Sequence, residues 1–212
     1  MVRIAKVLGL AIALAVLQSA CSNEDSNQVQ ADLPIDTATV AAGQGNSVAM
    51  QGQPLPLSGL GAVVLDQPLP AGIVSSPDLK SVDLSETHGK VRIISVVPSL
   101  DTPTCDKQTH ELSEENDGLD QHVELISVSM DLPFAQARFA KEAKIGNVQF
   151  LSDYKNRQFG SNTGLIIEPL ALLARAVIVT DKDNIVRYLQ VVPEVTALPD
   201  MQAAMRAARE LL

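Results

Sequence analysis

Hydrophobic and polar positions alternate with two periods along the second half of the chain. "KVRIISVVP" (90–98) is a β-branched run that ends at a proline, which predicts a buried strand, parallel in a covered sheet. "HELSEENDGL" and its lead-in have helical spacing, and "QHVELISVSM" predicts a second buried strand. In "DLPFAQARFAKEA", Asp131 reads as a cap and Pro133 falls in the first turn of a helix. "NVQFLSD" predicts a short strand, and "LARAVIVTDKDNIVRYLQVV" predicts two strands around a "DKDN" turn. The chain closes on an amphipathic helix in "LPDMQAAMRAARELL", with Leu198, Met201, Met205, Ala208 and Leu212 near one face. Upstream, Leu55 and Leu57 alternate with prolines, the mark of an edge hairpin rather than a central strand. "GLGAVVLDQPLPAG" has two close glycines but no third glycine and no P-loop lysine, so it reads as a turn.

Alternating strands and helices, then a hairpin and a last helix, predict an α/β domain over residues 49–212. Its expected plan is thioredoxin-like: a central mixed sheet flanked by helices, with an N-terminal edge hairpin. The first twenty residues follow a different pattern. Arg3 and Lys6 precede an apolar run from Val7 to Leu17, and the small residues Ser19 and Ala20 precede Cys21. This is the three-part plan of a signal peptide over 1–20. The run is short for a bilayer span, and a permanent membrane anchor is the rival reading. Residues 21–48 are polar and small without a sustained period, and predict a flexible tether.

Composition narrows the chemistry. The chain is 46% hydrophobic but only 3% aromatic, so its core is aliphatic. A net charge of -9 without basic clusters argues against nucleic acid. Two cysteines are too few for a disulfide scaffold or a Cys-rich zinc site, and His88, His110 and His122 lack ligand spacing, so no metal site is expected.

Of the two cysteines, Cys105 sits in "PSLDTPTC" (98–105). The strand stops at Pro98, Thr102 suits an N-cap and Pro103 a first helical position. Cys105 then falls in the first helical turn, facing free N–H groups and the positive end of the dipole. The thiolate is the nucleophilic form of cysteine. A helix end contributes about 0.3–1 kcal/mol towards it, and Asp101 and Asp106 push the other way. A positive side chain must help if the thiol is reactive. Arg175, inside the apolar "LLARAVIVT", is the first candidate; Lys107 and Arg138 are the others. An arginine there could instead snorkel to water, and a lone buried cysteine could be inert.

Pro98, Thr102 and Cys105 fit the P-x-x-x-T-x-x-C pattern of peroxiredoxins. With "DLPFAQARF" and "ARAVIV" downstream, the chain closely resembles their thiol peroxidase subfamily from about Met50 to the C-terminus. The resemblance implies a hydroperoxide substrate, either hydrogen peroxide or an organic hydroperoxide, and a chemistry that needs no metal or organic cofactor. Cys105 would attack the O–O bond, Thr102 would position the peroxide, Arg175 would hold the thiolate, and Pro98 would shield it from water. The subfamily's resolving cysteine has its counterpart at Ala140, which implies a one-cysteine cycle served by an external thiol, from a thioredoxin-like protein or a small molecule. The family commonly forms dimers, so a homodimer is expected. The rival reading is a non-catalytic thioredoxin-like lipoprotein with a binding or structural role. The N-terminal segment resembles a bacterial lipoprotein signal, although Gln18 stands where an aliphatic residue is usual. That resemblance implies a lipid on Cys21 and a periplasm-facing place in the cell envelope. With Ser22 rather than Asp after the cysteine, it implies the outer membrane.

Overall fold

The computed structural model describes residues 33–86 and 89–212. Two short strands open this part of the chain: β1 (Ile35–Asp36) and β2 (Ser47–Met50). β2 turns into β3 (Gln53–Ser58) through Gln51 and Gly52, both at positive φ, the geometry that matches strand twist in a two-residue hairpin. There follow β4 (Ile73–Ser75), β5 (Ser81–Asp83), β6 (Arg92–Val96), helix α1 (Pro103–Glu114), β7 (Glu124–Ser129), helix α2 (Pro133–Glu142) and β8 (Gln149–Ser152). The last part contains helix α3 (Gln158–Thr163), β9 (Ile166–Ile167), β10 (Leu172–Leu173), β11 (Ala176–Thr180), β12 (Val186–Val191), β13 (Leu198–Pro199) and helix α4 (Met201–Glu210).

The main sheet has seven strands in the order β12-β11-β6-β7-β8-β4-β5. β6, β7 and β8 run parallel, whereas β11 is antiparallel to β6. The expected mixed α/β, thioredoxin-like sheet is therefore present, and β6 is parallel on one side only. Neighbouring residues of β6 feed opposite core layers. Ile93 packs with Leu112 of α1, Met205 of α4 and Phe150 on one face. Ile94 and Val96 pack with Phe159 of α3, Leu57 and Ile167 on the other. A strand covered on both faces shows this unbroken apolar pattern.

Four details differ from the sequence expectations. The hairpin is present, but it belongs to a second sheet of order β10-β9-β3-β2, so it flanks the central sheet instead of edging it. Asp131 does not cap α2; Leu132 is the N-cap residue, and the Asp131 carboxylate turns to the β6–α1 loop. Leu212 is exposed, beyond the buried α4 face of Met201, Ala204, Met205 and Ala208. Residues 33–48, assigned to the tether, are packed: Ala42 and Val48 are buried, and β1 pairs with β13. Their polarity hides an apolar contact every few residues, too sparse to register as a period. Gly164 makes the docking possible. At φ +71°, a Cβ there would lie 2.5 Å from the Cα of Gly43. The signal segment, Cys21 and the first part of the tether lie outside the described residues.

Candidate active site

The loop 98–102 leaves β6 at its C-terminal end and enters α1. Open α/β sheets bind ligands at this end of their parallel strands. Thr102 is the N-cap residue of α1, with extended backbone, and Pro103 follows in the first turn. The Thr102 hydroxyl does not cap the helix; it donates to Ser99 O at 3.1 Å. Its proton is thus committed, and the hydroxyl offers lone pairs to anything bound beside it. Cys105 follows in the first turn and is fully buried. The turn is tied by Asp106 N donating to Thr102 O and by Thr109 Oγ1 donating to Cys105 O.

Arg175 reaches the sulfur. It sits one residue ahead of β11, not inside it, and it is buried rather than snorkelling. β11 runs antiparallel to β6 with Ala176 opposite Val96, so its first residues meet the end of β6 where α1 starts. Arg175 Nη2 donates to Cys105 Sγ at 3.4 Å. Its Nε and Nη2 also donate to Val195 O, at 3.0 and 2.9 Å. Nη1 donates to Gln108 Oε1 at 2.6 Å. A buried guanidinium is costly unless its donors are satisfied, and here two oxygens and a sulfur receive them. Gln108 carries no signal of its own in the sequence, although it lies three residues from Cys105 on the same helix face. Its Nε2 donates to Ser95 Oγ, which leaves Oε1 aimed at the arginine. Of the other candidate cations, Lys107 is half-buried on α1 and Arg138 is exposed on α2.

An apolar cavity of about 270 Å³ opens above these groups. Pro98, Thr102 and Arg175 line it, with Met50, Ile167, Leu170, Leu172 and Val195 as walls. These walls come from distant segments, so no local motif marks them. Glu194 fixes one side. Its carboxylate accepts from the N–H groups of Gln51 and Gly52 and from the Thr196 hydroxyl, pinning the hairpin that carries Met50. Burial pushes this carboxyl up, but those donors outweigh it and hold it below the usual range. Ala140 is half-buried on α2, against the cluster that includes Cys105. Cys105 is the free cysteine of the described residues.

A buried thiol thus stands at a helix start, in contact with a guanidinium beneath an apolar pocket, on a thioredoxin-like fold. The redoxin family model matches residues 65–205. A thiol peroxidase of Halalkalibacterium halodurans is 43% identical over 78% of this chain and 99% of its own length. One from Streptococcus pneumoniae is 40% identical over 77% of this chain and 99% of its own. A crystal structure of a peroxiredoxin-like protein from Aquifex aeolicus superposes with a TM-score of 0.73 at 36% identity, covering 78% of this chain and 97% of that one. The chain belongs to the redoxin family, in its thiol peroxidase branch of the peroxiredoxins. It is a thiol-dependent peroxidase.

Proposed function

We propose that Cys105 is the peroxidatic thiol of a one-cysteine cycle. The observation that carries this reading is the 3.4 Å contact from Arg175 Nη2 to Cys105 Sγ in the first turn of α1. The thiolate attacks one oxygen of the hydroperoxide and the O–O bond breaks. Sulfur loses two electrons and becomes a sulfenic acid, while the other oxygen leaves as water or an alcohol with the proton. Thr102 lone pairs accept the hydroperoxide O–H, Arg175 stabilises charge on the leaving oxygen, and Pro98 covers the sulfur from water. The apolar cavity walls favour organic hydroperoxides over hydrogen peroxide in binding.

Ala140 leaves the fold without the usual partner thiol. An external thiol then attacks the sulfenic sulfur and expels water, and a second thiol releases Cys105 from the mixed disulfide. A thioredoxin-like protein or a small thiol fills this role. At the other end of the chain, the signal-like segment supports a lipid on Cys21, anchorage in the cell envelope and, with Ser22, the outer membrane. A single acyl chain holds marginally, so the anchor needs more than one.

Single-turnover oxidation followed by trapping with a sulfenic-acid reagent tests the cycle. One equivalent of peroxide should label Cys105, and Cys105→Ser should abolish peroxide consumption. An active Cys105→Ser protein sinks the assignment. Mass spectrometry of the mature N-terminus tests the anchor. An unmodified N-terminus downstream of Cys21 refutes it, and a stoichiometric Cys21–Cys105 disulfide overturns both the anchor and the cycle.

A further inference from the structure

We propose that Asp131 is a positioning residue for the peroxide step, acting on Thr102 through Ser99. The inference rests on the reading of Thr102 as the peroxide-orienting hydroxyl. Asp131 lies between β7 and α2, on a different segment from the thiol. Its Oδ1 accepts from Ser99 Oγ at 2.8 Å, and its Oδ2 accepts from Leu100 N at 2.8 Å. Among the described residues, these two hydrogen bonds tie the loop 98–102 to a segment outside β6 and α1, and both end on one carboxylate. The carboxylate is itself held by Ser129 Oγ at 2.8 Å. The Asp131 carbonyl accepts from Ser152 Oγ, which locks the residue against β8.

Ser99 is the relay. Its side chain is fixed on Asp131, and its carbonyl accepts both the Thr102 hydroxyl and the Thr102 N–H. Thr102 is exposed at the pocket mouth, so packing does not set its direction. The hydrogen bond to Ser99 O does, and that oxygen stays in place because Asp131 holds the residue that bears it. Releasing Asp131 frees the Ser99–Leu100 peptide and lets the Thr102 lone pairs wander from the peroxide. The sulfur, on the helix and held by Arg175, does not move with them. Asp131 therefore governs how peroxide is oriented and leaves the intrinsic reactivity of the thiol alone.

The test compares two reactions of Cys105 in the full chain, each followed by mass spectrometry of the Cys105 peptide. One is oxidation by hydrogen peroxide; the other is alkylation by iodoacetamide, which needs no hydroxyl to orient it. Asp131→Ala should lower the peroxide rate constant about tenfold to a hundredfold, the range a misplaced positioning group costs. It should leave alkylation within about twofold, as should Thr102→Val. Asp131→Asn, which keeps an acceptor oxygen, should recover part of the loss. Because Asp131 works through Thr102, the double variant should be no slower than Thr102→Val alone. Ser99→Ala repeats the test without touching the start of α2, and should show the same selective loss. Equal losses in both reactions, or multiplying losses in the double variant, overturn the proposal. So does a slow Thr102→Val beside an unaffected Asp131→Ala. A Thr102→Val protein with normal peroxide kinetics overturns the reading of Thr102 itself, a separate and recognisable outcome.

Discussion

Arg175 spends its donors in three directions, on Val195 O, on Gln108 Oε1 and on Cys105 Sγ. A planar fork does this, and a lysine ammonium on a flexible stem does not. Arg175→Lys keeps the charge but orphans at least one buried acceptor. Its peroxide rate constant should fall by about a hundredfold, the scale of losing one oriented charge donor, and stopped-flow oxidation kinetics check this. The helix-start position of Cys105 was legible in the sequence because Thr-Pro at a strand end marks a helix start. Gln108 was not, since nothing distinguishes a buried glutamine from a solvated one on a polar stretch of helix. Only the guanidinium above it gives the amide a role.

Among the elements, α3 shows how a short helix is held from outside. The Asp153 carboxylate accepts from Phe159 N and Gly160 N in its first turn. Burial pushes this carboxyl up to about 6, against the lowering pull of the same amides. Between the unfolded value near 3.8 and the folded value near 6, the native state binds the proton more tightly, so stability falls as pH rises through that window. The cost above it is on the order of 2–3 kcal/mol. Denaturant unfolding of wild type and Asp153→Asn should show the variant gaining by about 2 kcal/mol between pH 4 and pH 7. A flat difference refutes the assignment. In α2, Ala140 packs against the cluster that holds Cys105. Ala140→Cys should form a peroxide-dependent disulfide between Cys105 and the introduced thiol once the helix end unwinds, with less overoxidation to sulfinic acid. Non-reducing peptide mapping reads both. The helices and strands were legible because burial on one or two faces imposes a period, but the sequence reads Asp131 wrongly as a cap. Cap chemistry is local, and here a tertiary partner in the β6–α1 loop outcompetes it.

At the scale of the whole molecule, the boundary of the folded unit decides what can be removed. Residues 33–48 supply buried Val48 and Ala42 and a β1–β13 pairing, and Val40 N donates to Val191 O. A chain beginning at residue 33 should keep the full thermal stability of the domain. One beginning at residue 50 loses β1 and all of β2 except Met50. Losing Val48 alone costs about 1.5–3 kcal/mol of burial, so its Tm should drop by at least about 5 °C. Equal melting temperatures refute the structural role of this segment. By itself the sequence determined the order of β6, α1, β7, α2, β8, β11, β12 and α4, the mixed α/β plan and the place of Cys105 in the first turn of a helix, because periodicity and helix-start chemistry are properties of neighbouring residues. The tertiary structure decided which cation meets the sulfur, across 70 residues, which carboxylate holds the loop 98–102, and which apolar walls close over it. Those pairings depend on β11 running antiparallel to β6 and on a hairpin pinned by Glu194. Contacts of that range follow from strand register and packing, which leave no periodic trace in the chain.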